Sequence, residues 1–139
     1  MQGLFKLDSF IVEKIWGSSR LAELKNIDST KYDTQKIGET YEVSTHKIGN
    51  SKIQTKNLNE FIDLNYLVKF ISTSDNLSIQ VHPDEEYARA HENDSGKTES
   101  WLILDAEDNA GIYLGFKEGV TKKEFKNALT SGLKITNFL

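Results

Sequence analysis

The second half of this chain contains β-prone segments that come in pairs, and a short polar turn separates the members of each pair. The four segments are residues 67–73, 77–82, 99–105 and 110–116. Hairpins of this kind build antiparallel sheets, whereas parallel sheets need strands that alternate with helices, and the sequence shows no such alternation. The pattern therefore predicts a mainly β chain, an antiparallel barrel or sandwich with a few peripheral α-helices.

Shorter signals complete the prediction. Residues 12–16 and 38–46 are expected to be strands, and Trp101 is expected in the core. Pro83 ends the strand over 77–82 and begins a short helix, because proline lacks the amide donor that a strand needs. A capping box over residues 121–124 predicts a further helix, and residues 133–139 are expected to begin another strand. Residues 1–139 are expected to form a single domain.

The composition excludes several classes of function. There are no cysteines, so disulfides, thiolate metal sites and cysteine nucleophiles are excluded together. Acidic residues (21) outnumber basic residues (17), which leaves no positive excess for a nucleic-acid partner. No apolar run is long enough to span a membrane, and residues 1–6 lack the layout of a secretory signal. We therefore expect a cytoplasmic domain with neither a membrane nor a nucleic-acid partner.

Polar side chains in the centre of the chain form a candidate site. In the strand predicted over 77–82, Ser78, Gln80 and His82 lie on one face, and the next predicted strand begins at Glu99, two residues after Lys97. An alternating strand of this kind is also typical of a sheet with one solvent-exposed face. However, amide, imidazole and carboxylate donors together suit a divalent ion such as zinc. Such an ion would attract an anionic or polyhydroxy ligand, and a nearby lysine would strengthen that attraction.

Two segments here strongly resemble the signatures of a known family. Residues 77–88 (LSIQVHPDEEYA) and 96–101 (GKTESW) resemble those of type I phosphomannose isomerase (mannose-6-phosphate isomerase), a family of cupin-fold metalloenzymes. Residues 15–17, 37–44 and 67–70 also resemble the N-terminal segments of that family, in the same order. The likeness covers nearly all of the chain, and it implies a cupin-type antiparallel jelly-roll β barrel.

The resemblance also implies roles for individual residues. It implies that Gln80, His82 and Glu99 are zinc ligands, one ion per chain, and that Ser78 and Lys97 line a pocket for a sugar phosphate. The implied reaction interconverts mannose 6-phosphate and fructose 6-phosphate through an enediol. Lys97 is our candidate for the catalytic group that handles a proton or holds oxyanions.

The chain departs from the family in its length. The family uses a fourth ligand, a histidine on a later strand, and a downstream catalytic arginine, and this sequence contains neither. His46 and His91 are expected to be surface residues and poor substitutes. We therefore expect the N-terminal part of the family's fold, an incomplete barrel whose open sheet edges favour self-association.

Three hypotheses follow from this departure. The chain is an isomerase whose missing parts come from a second polypeptide, or a cupin module that binds a metal or sugar without catalysis. Alternatively, it is a fragment of a longer protein that is active only when whole.

Overall fold

The computed structural model describes residues 3–139, which divide into two compact units, residues 3–81 and residues 82–139. Every strand among these residues lies in the first unit. The strands are β1 (Phe10–Ser18), β2 (Ile37–Val43), β3 (Thr45–His46), β4 (Gly49–Asn50), β5 (Lys52–Ile53), β6 (Lys56–Asn57) and β7 (Val68–Ile71). The α-helices are α1 (Arg20–Lys25), α2 (Glu85–Tyr87) and α3 (Lys122–Ser131). Short 3₁₀ turns cover Thr34–Lys36, Leu58–Glu60 and Ile135–Phe138, and a π-helical turn over Ala88–Glu92 continues α2.

The first unit is organised around a three-stranded antiparallel sheet in the order β1-β2-β7. At the centre of this sheet Thr40 pairs with Ile11 of β1 on one side and with Phe70 of β7 on the other. The other strands form two small hairpins, β3–β4 and β5–β6. The sequence therefore predicted the sheet strands correctly, although β2 ends at Val43 and its expected continuation belongs to the β3–β4 hairpin.

The apolar core of this unit lies between the sheet and α1. Leu21 and Ala22 of α1 pack against Ile37 at the start of β2, and all three residues are buried. Ile11 and Tyr32 pack around this cluster. The helix ends at Asn26, which adopts a left-handed conformation (φ 51°) that asparagine tolerates better than most residues. Burial of this apolar face, and not helix propensity, stabilises so short a helix.

The second unit contains α2 and α3. As predicted, α3 begins at a capping box, in which Thr121 and Glu124 each accept a hydrogen bond from the other's backbone amide. It ends at Gly132, whose φ of 72° lies in the left-handed region. The ring of Phe125 packs against Phe116 (4.7 Å between centroids) and Phe138 (6.3 Å). With 10 residues, α3 is the longest helix among residues 3–139, and none in this range could cross a membrane.

Several predicted strands are wrong. Residues 77–82, 99–105 and 110–116 form no strand, and a 3₁₀ turn replaces the strand expected within 133–139. A strand needs a hydrogen-bonded neighbour, and no segment of residues 3–139 pairs with these. The turn expected after residue 106 does form, since the Ala110 amide donates to the Glu107 carbonyl (3.0 Å).

Most large apolar side chains of these extended segments are exposed. Leu102 is 82% exposed and Leu114 is 92% exposed, although both belong to segments that were expected to contribute to a sheet. The coarse prediction of a mainly β chain with a few helices is confirmed. The incomplete jelly-roll barrel remains a prediction.

Candidate functional site

The five residues singled out in the sequence lie in different units. Ser78 and Gln80 belong to the first unit, whereas His82, Lys97 and Glu99 belong to the second. The Gln80 amide nitrogen donates a hydrogen bond to the Ser78 hydroxyl at 3.2 Å, and both side chains are exposed. Residues two apart in an extended backbone lie on the same side of it, which explains this contact.

In the second unit His82, Lys97 and Glu99 form one polar cluster. The Glu99 Oε2 atom lies 2.5 Å from Lys97 Nζ and 3.3 Å from His82 Nε2. The Glu99 side chain is 15% exposed, compared with 30% for His82 and 41% for Lys97. The carboxylate is therefore mostly buried beneath a lysine and an imidazole that reach solvent.

The other oxygen of this carboxylate is also engaged. The indole N–H of Trp101 donates to Glu99 Oε1, so the two carboxylate oxygens face different neighbours. Lys97, Glu99 and Trp101 follow at intervals of two residues and lie on one side of the extended chain. Trp101 is 49% exposed, so its expected place in the core is wrong. Its contact with Glu99 fixes the orientation of the carboxylate.

Backbone contacts place the loop that carries Lys97 next to the segment that carries His82. The Lys97 amide donates to the Pro83 carbonyl at 3.1 Å, and the Gly96 amide donates to Glu85 Oε2 at 2.7 Å. Arg89 Nε donates to the other oxygen of Glu85 at 2.5 Å. The Gly96 amide and the Arg89 guanidinium together hold the pKa of the Glu85 carboxyl below its ordinary value.

Sequence analysis missed the contribution of Glu85. An acidic residue in the first turn of a helix such as α2 is already explained by its favourable interaction with the helix dipole. A side chain on Gly96 would bring its Cβ within 2.5 Å of the Glu85 amide nitrogen, so the loop passes close to the start of the helix. The one signal available in the sequence was a glycine directly before Lys97.

The donor pair suits two positions of a zinc site. Zinc bonds to histidine nitrogen and carboxylate oxygen are about 2.0–2.2 Å long, so two such ligands on a tetrahedral ion lie about 3.4 Å apart. The 3.3 Å between His82 Nε2 and Glu99 Oε2 agrees with that separation. Among residues 3–139, no group of three or more His, Cys, Asp or Glu side chains could hold a metal ion. A complete metal site therefore needs ligands in addition to His82 and Glu99.

The remaining histidines have other contacts. The exposed His91 ring packs 4.4 Å from the Tyr87 ring, which confirms its surface position. His46 is half-buried in the β3–β4 hairpin, where its Nδ1 accepts from the Ile48 amide at 3.3 Å. The expectation of a surface position for His46 is therefore only partly met.

Comparison with known proteins identifies relatives across most of the chain. A probable mannose-6-phosphate isomerase of Bacillus subtilis, GmuF, is 36% identical over 145 residues, covering 91% of this chain and 45% of the relative. A mannose-6-phosphate isomerase of Streptococcus mutans is 30% identical, covering 91% and 44%. The crystal structure of the mannose 6-phosphate isomerase from Bacillus subtilis matches with a TM-score of 0.79 and 29% identity, covering 94% of this chain and 46% of that one. No protein-family model matches the chain.

These relatives define the class of protein to which the chain is related. It is a homologue of sugar-phosphate isomerases, and specifically of mannose-6-phosphate isomerases, which confirms the resemblance found in its sequence. The chain spans less than half the length of the curated relatives that it matches.

Proposed function

We propose that this chain carries part of the centre of a zinc-dependent mannose-6-phosphate isomerase. The observation that carries the proposal is the His82–Lys97–Glu99 cluster. It occurs in a chain that is 36% identical to the probable mannose-6-phosphate isomerase GmuF. The reaction converts mannose 6-phosphate to fructose 6-phosphate through an enediol, moving a proton from C2 to C1 while the carbonyl moves from C1 to C2.

Gln80, His82 and Glu99 are the proposed ligands of one zinc ion per chain. Their amide oxygen, imidazole nitrogen and carboxylate oxygen suit such an ion, and the His82–Glu99 separation agrees with shared coordination. When bound, the ion polarises the substrate oxygens and stabilises the negative charge that develops in the enediol. The indole of Trp101 holds the second oxygen of Glu99 and restricts the rotation of that carboxylate.

Lys97 and Ser78 are proposed to bind the sugar phosphate. Lys97 Nζ forms an ion pair with the Glu99 carboxylate, and as an ammonium group it can donate hydrogen bonds to phosphate or enediolate oxygens. It can also return a proton to an oxygen of the enediol. An ammonium cannot abstract the carbon-bound proton, so the general base is not assigned to it. Ser78 would contribute a hydroxyl to the sugar.

The ligands that the described residues bring together also suit a second candidate function. Among residues 3–139 no third His, Cys, Asp or Glu side chain joins His82 and Glu99, so the alternative is a non-catalytic module that binds a metal or sugar. We propose a cytoplasmic cupin domain in either case, with a sugar phosphate as the small-molecule ligand of the isomerase.

A zinc measurement combined with an isomerase assay tests the proposal. We expect near-stoichiometric zinc in the wild-type chain, and its loss in Gln80→Ala, His82→Ala and Glu99→Ala. The matched control is His91→Ala, which removes a histidine from the surface and should retain the metal. Turnover by the wild-type chain supports the isomerase if Lys97→Met abolishes it while retaining zinc. Zinc without turnover supports the binding module. A wild-type chain without zinc refutes the zinc-dependent isomerase and the metal-binding form of the module.

We also propose that the chain associates with itself. Leu102 and Leu114 lie in extended segments whose backbone pairs with no strand among residues 3–139, and such edges favour pairing between molecules. Sedimentation velocity should show concentration-dependent association that Leu102→Lys and Leu114→Lys reduce. Leu24→Lys, on an exposed face of α1 in the first unit, is the control and should not change it. A wild-type chain that is monomeric at every concentration refutes this proposal.

A further inference from the structure

We infer that Glu85 is a positioning residue, whose carboxylate holds the segment carrying Lys97 and Glu99 against the segment carrying His82. The inference concerns the geometry of this cluster, and its use in metal binding rests on the proposed function. The Glu85 carboxylate accepts hydrogen bonds from Arg89 and from the backbone amide of Gly96, the residue directly before Lys97. Any effect of Glu85 on the positions of the His82, Lys97 and Glu99 side chains would therefore pass through the backbone.

Three contacts join residues 83–85 to residues 96–97. Glu85 Oε2 accepts from the Gly96 amide at 2.7 Å, and the Pro83 carbonyl accepts from the Lys97 amide at 3.1 Å. The third is close packing, since an ideal Cβ on Gly96 would lie 2.5 Å from the Glu85 amide nitrogen. We call this set of contacts the 85–96 clamp.

The 85–96 clamp lies close in sequence to both His82 and Glu99, so it can set the distance between them. One side of it begins at Pro83, directly after His82, and the other ends at Lys97, two residues before Glu99. No β-ladder holds either segment, because neither belongs to a strand. The 3.3 Å separation of His82 and Glu99 therefore depends on the few contacts that join these segments directly.

Arg89 orients the carboxylate of the clamp. Its Nε donates to Glu85 Oε1 from one turn further along, which leaves Oε2 directed at the Gly96 amide. The side chains of Glu85 and Arg89 are 52% and 75% exposed. Exposed ion pairs contribute little to folding stability. Loss of Glu85 should therefore disturb the cluster without unfolding the chain.

The effect can be measured first in the metal-free chain by NMR. We expect nuclear Overhauser effects between the His82 ring and the Glu99 or Lys97 side chains, and slow exchange of the Gly96 amide. Glu85→Ala should abolish both signals, and Gly96→Ala should abolish the first. Glu85→Gln should retain both, because its amide oxygen can still accept from Gly96.

The matched control is Glu86→Ala, which removes the neighbouring exposed carboxylate and should leave every signal unchanged. A second measurement is zinc affinity by competition with a chelating indicator, together with the visible spectrum of the cobalt-substituted chain. Residues that orient metal ligands typically change metal affinity by about 10- to 100-fold when they are mutated. We expect a loss of that size in Glu85→Ala, a changed cobalt spectrum, and recovery of both in Glu85→Gln.

The possible outcomes separate this inference from the proposed function. If the His82–Glu99 contacts persist in Glu85→Ala, or if Glu86→Ala abolishes them equally, the positioning role is refuted whatever the zinc result. If the contacts behave as expected but the wild-type chain takes up no zinc, the positioning role is supported and the metal site is refuted. Far-UV circular dichroism on each variant identifies one that has unfolded. If Glu85→Ala unfolds, the test rests on Glu85→Gln, which should retain both the Overhauser effects and the slow exchange of the Gly96 amide.

Discussion

Glu42 lies at the centre of a partly buried polar cluster, and its removal gives the sharpest test of how the first unit is stabilised. Lys25 Nζ donates to both oxygens of the Glu42 carboxylate, at 2.8 and 2.7 Å. Thr40 Oγ1 donates to Oε1 at 2.6 Å, and Ser9 Oγ donates to Oε2 at 2.9 Å. The cluster joins α1, β2 and the segment before β1, so Glu42→Gln should loosen all three.

The burial of the Lys25–Glu42 ion pair sets how much stability Glu42→Gln removes. The two side chains are 23% and 22% exposed, so the pair is neither fully exposed nor fully buried. Exposed ion pairs contribute about 0.2–1 kcal/mol, and disruption of buried ion pairs costs about 3–5 kcal/mol. Glutamine keeps one acceptor oxygen but turns an amide nitrogen toward other donors and leaves the Lys25 charge without a carboxylate. We expect Glu42→Gln to lower the free energy of unfolding by about 2 kcal/mol at neutral pH.

The effect should depend on pH with a definite sign. Burial raises the pKa of Glu42, but hydrogen bonds from Lys25, Thr40 and Ser9 outweigh it and hold this pKa below its ordinary value of 4.5. A carboxyl whose pKa is lower in the folded state stabilises the fold above its unfolded-state pKa. That contribution is lost as the pH falls through the folded-state pKa. The difference between wild type and Glu42→Gln should therefore be full at pH 7 and shrink below about pH 4.5.

Urea unfolding followed by the fluorescence of the buried Trp16 measures this difference, in a Trp101→Phe background that removes the other tryptophan. Glu23→Gln, an identical change at an exposed position of α1, is the control and should change the free energy of unfolding by less than about 0.5 kcal/mol. The reasoning is refuted if Glu42→Gln is as stable as wild type at pH 7. It is also refuted if the loss persists unchanged well below pH 4.

Three further predictions concern residues of the first unit. Ile37→Ala should lower the free energy of unfolding by about 2–5 kcal/mol in urea titrations, because Ile37 is fully buried, whereas Ile48→Ala at a 69% exposed position should change it little. Gly17→Ala should destabilise the chain by about 1–3 kcal/mol in the same assay, since its methyl would lie 2.3 Å from a backbone oxygen, while Gly111→Ala meets nothing within 4 Å and should be neutral. Burial, reinforced by a neighbouring carboxylate, raises the pKa of Tyr41 to about 12, so ultraviolet titration should show a late phase that Tyr41→Phe removes. A late phase that persists unchanged in Tyr41→Phe contradicts that last expectation.

The sequence was sufficient to predict those parts of the fold that depend on local chemistry. The capping box of α3 and the strand-forming residues of β2 act within a few residues of themselves, and both predictions were correct. The segments 99–105 and 110–116 have equally strong strand propensity, but a strand also requires a neighbour, and local pattern cannot show whether one is present. For the candidate site, two-residue spacing correctly implied that Lys97 and Glu99 share a side of the chain. The Glu85–Gly96 contact depends on a loop returning to a helix start, which no periodic pattern reveals.

The absence of a ladder around the cluster has a consequence for its chemistry. In a sheet, the spacing of donors on adjacent strands is fixed by many backbone hydrogen bonds, so single side-chain changes nearby have little effect on it. Here the residues that precede His82 and those that follow Lys97 belong to no strand, and the His82–Glu99 separation depends on the Pro83–Lys97 and Glu85–Gly96 hydrogen bonds. A polypeptide that supplies the partner strands should therefore raise zinc affinity in Glu85→Ala more than in wild type, because the ladder would replace the contact that the variant lacks. Equal gains in both would show that the pairing does not act on the geometry of the donor pair.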